Sequence, residues 1–191
     1  MVDFSAEITS CVATLQQGGV IVYPTDTVWG IGCDATNAAA IDKVFALKQR
    51  PANKSMIVLL ADEQDLQHYV SLPAGFSLAH IPDILTRPTT IIYPRATGLA
   101  ANALAPDGSI GIRIVNDDFC KAMIHASGKP LISTSANISG QPTASFFREI
   151  HPDIVTGADY TVHYRRTDET VHQPSRILKL AEDGSFEIIR P

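Results

Sequence analysis

The sequence predicts an α/β (α+β) protein built on a mixed β-sheet. Helical and extended patterns alternate early in the chain, short extended patterns dominate its last third, and 45% of its 191 residues are hydrophobic against 18% charged. A single core commonly organises ~100–200 residues, so residues 1–191 are expected to form one domain. No internal repeat, low-complexity tract or coiled-coil heptad interrupts them.

The elements follow in order. Ile8, Cys11, Val12 and Leu15 share one helical face, which Gly18-Gly19 terminates, and Val20-Ile-Val-Tyr23 reads as a short strand. Asn37 caps the next helix; Ile41, Val44 and Phe45 form its buried stripe, and Lys48 continues that stripe one turn later. Pro51 ends this helix, because it disfavours helical geometry in the residue before it and carries no N–H. Met56-Ile-Val-Leu-Leu60 is a central strand, and Asp62 caps a helix through Leu66 and Tyr69. The Pro-rich segment from Leu72 to Pro94 yields one clear element, the strand Thr89–Tyr93. Ser109 to Val115 is a further strand, and Phe119, Ala122, Met123 and Ala126 form a helical stripe ending at Gly128. Pro130-Leu-Ile132 reads as a buried strand that emerges into a turn, Ser133-Thr-Ser-Ala-Asn137.

Composition excludes several functions. A net charge of −5 disfavours non-specific nucleic-acid binding, so any RNA contact is expected to be weak and to need a local basic groove. Cys11, Cys33 and Cys120 are odd in number and far apart, giving neither a disulfide framework nor a Cys-x-x-Cys site. They suit a reducing cytoplasm. His68, His80, His125, His151, His163 and His172 never take metal-ligand spacing, so no metal site is expected. The N-terminus lacks a basic leader, and no apolar run approaches the ~18 residues of a membrane span.

The residues with chemistry concentrate in two places. Lys48-Gln-Arg50, followed by Pro51 and Lys54, puts fixed cations at an element boundary; these are either ordinary charges at a helix C-terminus or a phosphate clamp, an ammonium acting as point charge beside a guanidinium fork. Ser133 to Asn137 is either a plain turn or a set of hydroxyl, amide and backbone N–H donors small enough to admit a nucleotide. Arg113 alternates with Ile112 and Ile114 and projects from the opposite face, where it meets either solvent or an amino acid carboxylate. Gly30-Ile-Gly32 lacks the third glycine of a dinucleotide fingerprint, and no Walker A loop occurs. Trp29 is expected in the core, and Thr25 and Thr27 shape the turn after Pro24.

Tyr23-Pro-Thr-Asp-Thr-Val-Trp-Gly-Ile-Gly-Cys-Asp34, Lys48-Gln-Arg50-Pro51 and Ser135-Ala-Asn137, in that order, resemble the YrdC-like family, and Gly111-Ile-Arg113, Pro174-Ser-Arg176 and Ile189-Arg190-Pro191 extend the likeness over almost the whole chain. The resemblance implies a twisted mixed sheet with flanking helices and a concave active-site face. It also implies synthesis of L-threonylcarbamoyladenylate from L-threonine, bicarbonate and ATP, with release of pyrophosphate, for threonylcarbamoylation of a tRNA adenosine next to the anticodon. Carried over by position, Lys48 and Arg50 become the catalytic cations. They bind ATP together with Ser135, Asn137 and Arg190, while Thr25, Arg113, Ser133 and Ser175 bind threonine. Mg²⁺ is expected through the ATP phosphates, and the downstream tRNA threonylcarbamoyl-transfer proteins as transient partners. Two departures stand out: Leu85-Thr-Arg87-Pro88 replaces the Trp-Pro-Gly-Pro of many relatives, and Leu59 stands where some carry a His near the threonine pocket. Two rival readings are an RNA-binding module without catalysis, which the acidic charge disfavours, and a relative that handles carbamoyl adenylate, which the short chain disfavours.

Overall fold

The structure, a computed structural model, describes residues 3–50, 56–73, 75–81, 83–84, 86–181 and 183–191. Pro51, Lys54 and Leu85 lie outside the described residues. Helix α1 (Ser5–Gln16) leads into β1 (Ile21–Tyr23) and β2 (Gly30–Asp34), then α2 (Ala38–Leu47) into β3 (Ile57–Leu60) and the short α3 (Leu66–Tyr69). Strands β4 (Thr89–Tyr93) and β5 (Ile110–Ile114) precede α4 (Asp118–Ser127) and β6 (Leu131–Ser135). Helix α5 (Pro152–Gly157) and strands β7 (Tyr160–Thr161), β8 (Arg176–Leu180) and β9 (Phe186–Arg190) follow. The strands form one mixed sheet in the order β7-β1-β2-β6-β3-β5-β4-β8-β9, in which β7–β1, β3–β5 and β4–β8 are parallel and the other neighbours antiparallel.

Strand alternation divides the apolar residues between two cores. Val58, Leu60, Ile110, Ile112 and Ile132 face one side, packed with Ile41, Val44 and Phe45 of α2. Leu59 and Leu131 face the other with Ile21 and Tyr23, under Cys11 and Leu15 of α1 and Phe119, Cys120 and Met123 of α4. Complete burial of a side chain such as Phe119 contributes about 1.5–3 kcal/mol. Further along this second face, the alternation brings up Ser133, Arg113 and Thr90, all nearly buried yet polar.

Asn37 caps α2 as expected, its Oδ1 accepting the Ala40 N–H at 3.1 Å. Four expectations change. The α4 stripe is Phe119, Cys120, Met123 and Ile124, with Ala126 exposed, because the larger side chains turn toward the sheet. Asp62 makes no side-chain cap; its carboxylate meets His125 Nε2 at 2.6 Å instead. Gly30–Asp34, read only as a glycine pattern, is a strand between β1 and β6. Ser133 to Ser135 belong to β6 and not to a turn: Ser133 pairs with Gly32 on one side and Ile57 on the other, so neighbouring strands override the turn preference of serine.

Candidate active site

A cavity of about 440 Å³ opens on the second face. Its walls bring together seven of the nine residues singled out from the sequence: Thr25, Arg50, Arg113, Ser133, Ser135, Ser175 and Arg190. A larger space of about 610 Å³, on the opposite side of β4 and β5, is lined by Leu66, Ile91 and Ile112 with Glu63, Asp83, Asn116 and Lys121, and holds none of the nine.

At one end stands Arg50, delivered by an unusual helix terminus. The Gln49 N–H donates to Ala46 O at 3.0 Å and the Arg50 N–H to Phe45 O at 2.9 Å, a paired C-terminal closure that usually employs glycine at its left-handed position. Gln49 occupies that position with φ 49°. Burial lowers the pKa of Arg50. Beside it, Ser135 Oγ donates to Asn137 Oδ1 at 2.5 Å, leaving the serine oxygen as acceptor. The Asn137 amide group donates to Ile138 O and Gln141 O, so its side chain braces the turn and does not line the cavity.

Lys48 differs from the expected phosphate-facing cation. It is only 1% exposed, and its ammonium donates to the carbonyls of Ser135 and Asn137, the latter at 2.6 Å. Its own carbonyl accepts the Ser139 N–H at 2.8 Å, so one residue staples the end of α2 to the 135–139 turn from both sides. Burial first and the charge of Arg50 second push its pKa down to about 8.

The middle of the cavity is polar and tightly ordered. Tyr23, fully buried, donates its hydroxyl to Ser133 Oγ at 2.7 Å, and burial holds the phenol well above its ordinary pKa, so it stays a donor. The glycine pair of β2 makes room here. A Cβ on Gly32 would meet Ile132 O at 2.0 Å, and one on Gly30 would press on Tyr23 and Ser133 at 3.2 and 3.3 Å. These glycines serve close strand packing, not a dinucleotide. Trp29 packs at 4.9 Å on Phe147, in the core as expected.

Arg113, 3% exposed, donates through Nη1 to Thr27 Oγ1 at 3.2 Å. Thr27 Oγ1 lies 3.0 Å from Thr25 Oγ1, which donates to Val28 O at 2.7 Å. Leu59, at the place of a histidine in some relatives, pairs with Arg113 across the strands but is sealed in the second core. Ser175 Oγ lies 3.0 Å from Thr90 Oγ1, and Arg190 grips the Ser175 carbonyl through Nε and Nη2 at 3.0 and 2.6 Å. Ser175 and Arg190, assigned from the resemblance to different substrates, are thus direct neighbours.

Sequence reasoning missed Tyr23, Asp26, Thr90 and His172. Tyr23 and Thr90 sat in apolar strands with nothing to mark the face they use. Asp26 gave a faint signal, an acid between two threonines after a proline; its carboxylate lies 3.3 Å from Arg113 Nη2. His172 lines the cavity from the exposed segment before β8. Cys11, Cys33 and Cys120 are free and buried, and among the described residues no helix is long and apolar enough to cross a membrane.

The Sua5/YciO/YrdC family model, described as "Telomere recombination", matches residues 13–191. The threonylcarbamoyl-AMP synthase of Stenotrophomonas maltophilia is 38% identical over 156 residues, 78% of this chain and 81% of that protein. Its namesake from Vibrio vulnificus is 30% identical over 174 residues, 90% of this chain and 92% of that one. Among solved structures, P. abyssi Sua5 complexed with L-threonine matches with a TM-score of 0.82 at 21% identity, over 100% of this chain but 55% of its own. E. coli YciO matches at 0.77 and 24% identity, over 97% of this chain and 88% of its own. The chain therefore spans little more than half the length of P. abyssi Sua5, and these two structural likenesses are likenesses of fold.

Proposed function

Because the chain belongs to the Sua5/YciO/YrdC family, we propose that it is an L-threonylcarbamoyladenylate synthase that uses ATP and supplies threonylcarbamoylation of a tRNA adenosine beside the anticodon. The observation that carries this reading is the convergence of Arg50, Ser135, Arg113, Thr25, Ser133, Ser175 and Arg190 on one cavity. An activated amino acid needs two anion receptors, one for phosphates and one for the amino acid carboxylate, and Arg50 and Arg113, both on the cavity wall, supply them.

The ammonium group of threonine and bicarbonate give N-carboxythreonine with loss of water and one proton. A carbamate oxygen then attacks the α-phosphorus of ATP, forming a new P–O bond as the bridging bond to pyrophosphate breaks. Arg50 offsets phosphate charge and Ser135 orients the phosphates. Lys48 and Asn137 hold the turn that presents Ser135, and Lys48 adds positive charge from behind. Thr25, Arg113, Ser133 and Ser175 take threonine, and Arg190 serves the nucleotide from beside Ser175. Mg²⁺ arrives as part of the nucleotide substrate, held by phosphate oxygens and water. Residues 1–191 act as one domain, in the cytoplasm, where three unpaired thiols are at home. Transfer proteins acting on tRNA receive the product transiently, with at most weak RNA contact by this acidic chain.

The test is pyrophosphate release by purified protein, with threonine, bicarbonate and ATP each omitted in turn. Release should require all three. Equal release without threonine would overturn the reading in favour of a plain ATPase.

A further inference from the structure

Asp26 belongs to the loop between β1 and β2, in the run Pro24-Thr25-Asp26-Thr27. Its side chain is 14% exposed, its Oδ1 lies 3.3 Å from Arg113 Nη2 without hydrogen-bond geometry, and neither carboxylate oxygen has a hydrogen-bond partner among the described residues. Arg113 Nε lacks one too. The loop itself is fixed: Cys120 Sγ of α4 donates to the Pro24 carbonyl at 3.4 Å, and Thr25 Oγ1 accepts the Thr27 N–H at 3.0 Å.

An acid that merely neutralises a buried guanidinium would be expected to take both prongs of the fork, the strongest arrangement the pair can form. Here the carboxylate stands off, on one corner, while Thr27 holds the other. We infer that Asp26 is a positioning residue for Arg113: it compensates the buried charge and draws Nη2 toward the loop without taking a hydrogen bond from it, so that the guanidinium keeps donor capacity for the carboxylate of the amino acid substrate. The inference rests on reading Arg113 as the receptor for that carboxylate. The loop that carries Thr25 into the cavity also carries the residue that aims Arg113.

The experiment titrates threonine and ATP separately in the pyrophosphate assay for wild type, Asp26→Asn, Asp26→Glu, Arg113→Gln and the double variant Asp26→Asn/Arg113→Gln, with thermal unfolding of each. Asp26→Asn should raise the apparent KM for threonine about tenfold and leave that for ATP within about twofold. On the Arg113→Gln background the same change should raise it no further, because the group Asp26 acts through is gone. Asp26→Glu keeps the charge but moves it, and should stay near the wild-type Tm while still raising the threonine KM; it decides the matter if Asp26→Asn does not fold. An unchanged threonine KM in Asp26→Asn or Asp26→Glu would make the pair a structural ion pair only. A rise of equal size on both backgrounds would show Asp26 acting independently of Arg113. An unchanged threonine KM in Arg113→Gln would overturn the receptor reading itself, and the inference with it.

Discussion

Lys48 and Arg113 are both cations buried almost completely, 1% and 3% exposed, and the protein treats them in opposite ways. Lys48 spends two of its three N–H groups on the backbone carbonyls of Ser135 and Asn137, neither of them a charged partner. Arg113 has a carboxylate nearby, yet uses it at arm's length and leaves Nε without a partner among the described residues. A buried donor without a partner is costly, so it persists only where something else supports it or a ligand completes it. The difference teaches how to read a buried cation. One whose donors are absorbed by backbone holds architecture in place, whereas one held short of saturation, on a cavity wall, is equipped to receive an anion.

The contrast breaks most visibly at Lys48. Lys48→Met keeps length and bulk but takes the ammonium from the Asn137 carbonyl and leaves the Ser135 carbonyl only the Asn137 N–H at 2.9 Å, a loss of about 1–3 kcal/mol offset in part by relief of burying a charge. A net loss of about 1–2 kcal/mol in denaturant unfolding is expected, with roughly a hundredfold fall in kcat/KM for ATP as the turn carrying Ser135 loosens. Wild-type stability with the same loss of activity would mean that Lys48 acts on phosphate directly, like a receptor, and the two cations would cease to differ in kind.

A smaller effect separates charge from staple. Lys48 has its pKa pushed down from 10.5 to about 8, so above that pH the folded state holds fewer protons than the unfolded one. Stability therefore gains with rising pH, and the gap between wild type and Lys48→Met should widen by about 1 kcal/mol from pH 8 to 9. Above pH 9 the buried thiols of Cys11 and Cys33, pushed up to about 12, work the other way in both proteins, since the unfolded thiols ionise first. Over the same window activity should fall as the ammonium loses its charge. A gap that stays constant would mean that Lys48 does not titrate there.

Much of this contrast was legible in the sequence, but only on one side of each contact. Strand alternation around Ile112 and Ile114 gave the direction of Arg113, and the α2 stripe gave the burial of Lys48, because both follow from local periodicity. The hydrogen-bond partners of each cation lie 86 to 89 residues away along the chain, at Thr27, Ser135 and Asn137, and pairings of that range leave no local signature. The same limit made Ser133 to Ser135 look like a turn, since the two strands that flank them come from distant parts of the chain. Asp26 was hidden for a further reason: an acid after Pro-Thr is the ordinary chemistry of a turn.

The smallest expected effect lies at the residue between the two cations of Lys48-Gln-Arg50. Gln49 holds φ 49° to close α2 and is exposed, so its side chain offers little to offset the left-handed conformation, which costs a residue with a Cβ roughly 1–2 kcal/mol. Gln49→Gly removes that strain but gives the unfolded chain more freedom, which takes back about 0.4–1 kcal/mol. A net gain of at most about 1 kcal/mol should remain, seen as a rise in Tm of roughly 2–4 °C, and kcat/KM for ATP should move by less than about threefold. Arg50 would then be aimed by its backbone hydrogen bond to Phe45, which Gly leaves intact, just as Arg113 is aimed by strand and loop. A large loss of activity with a raised Tm would reverse that conclusion: the strain at Gln49 would then be what holds Arg50 toward the phosphates, and the two arginines would be positioned by different physics.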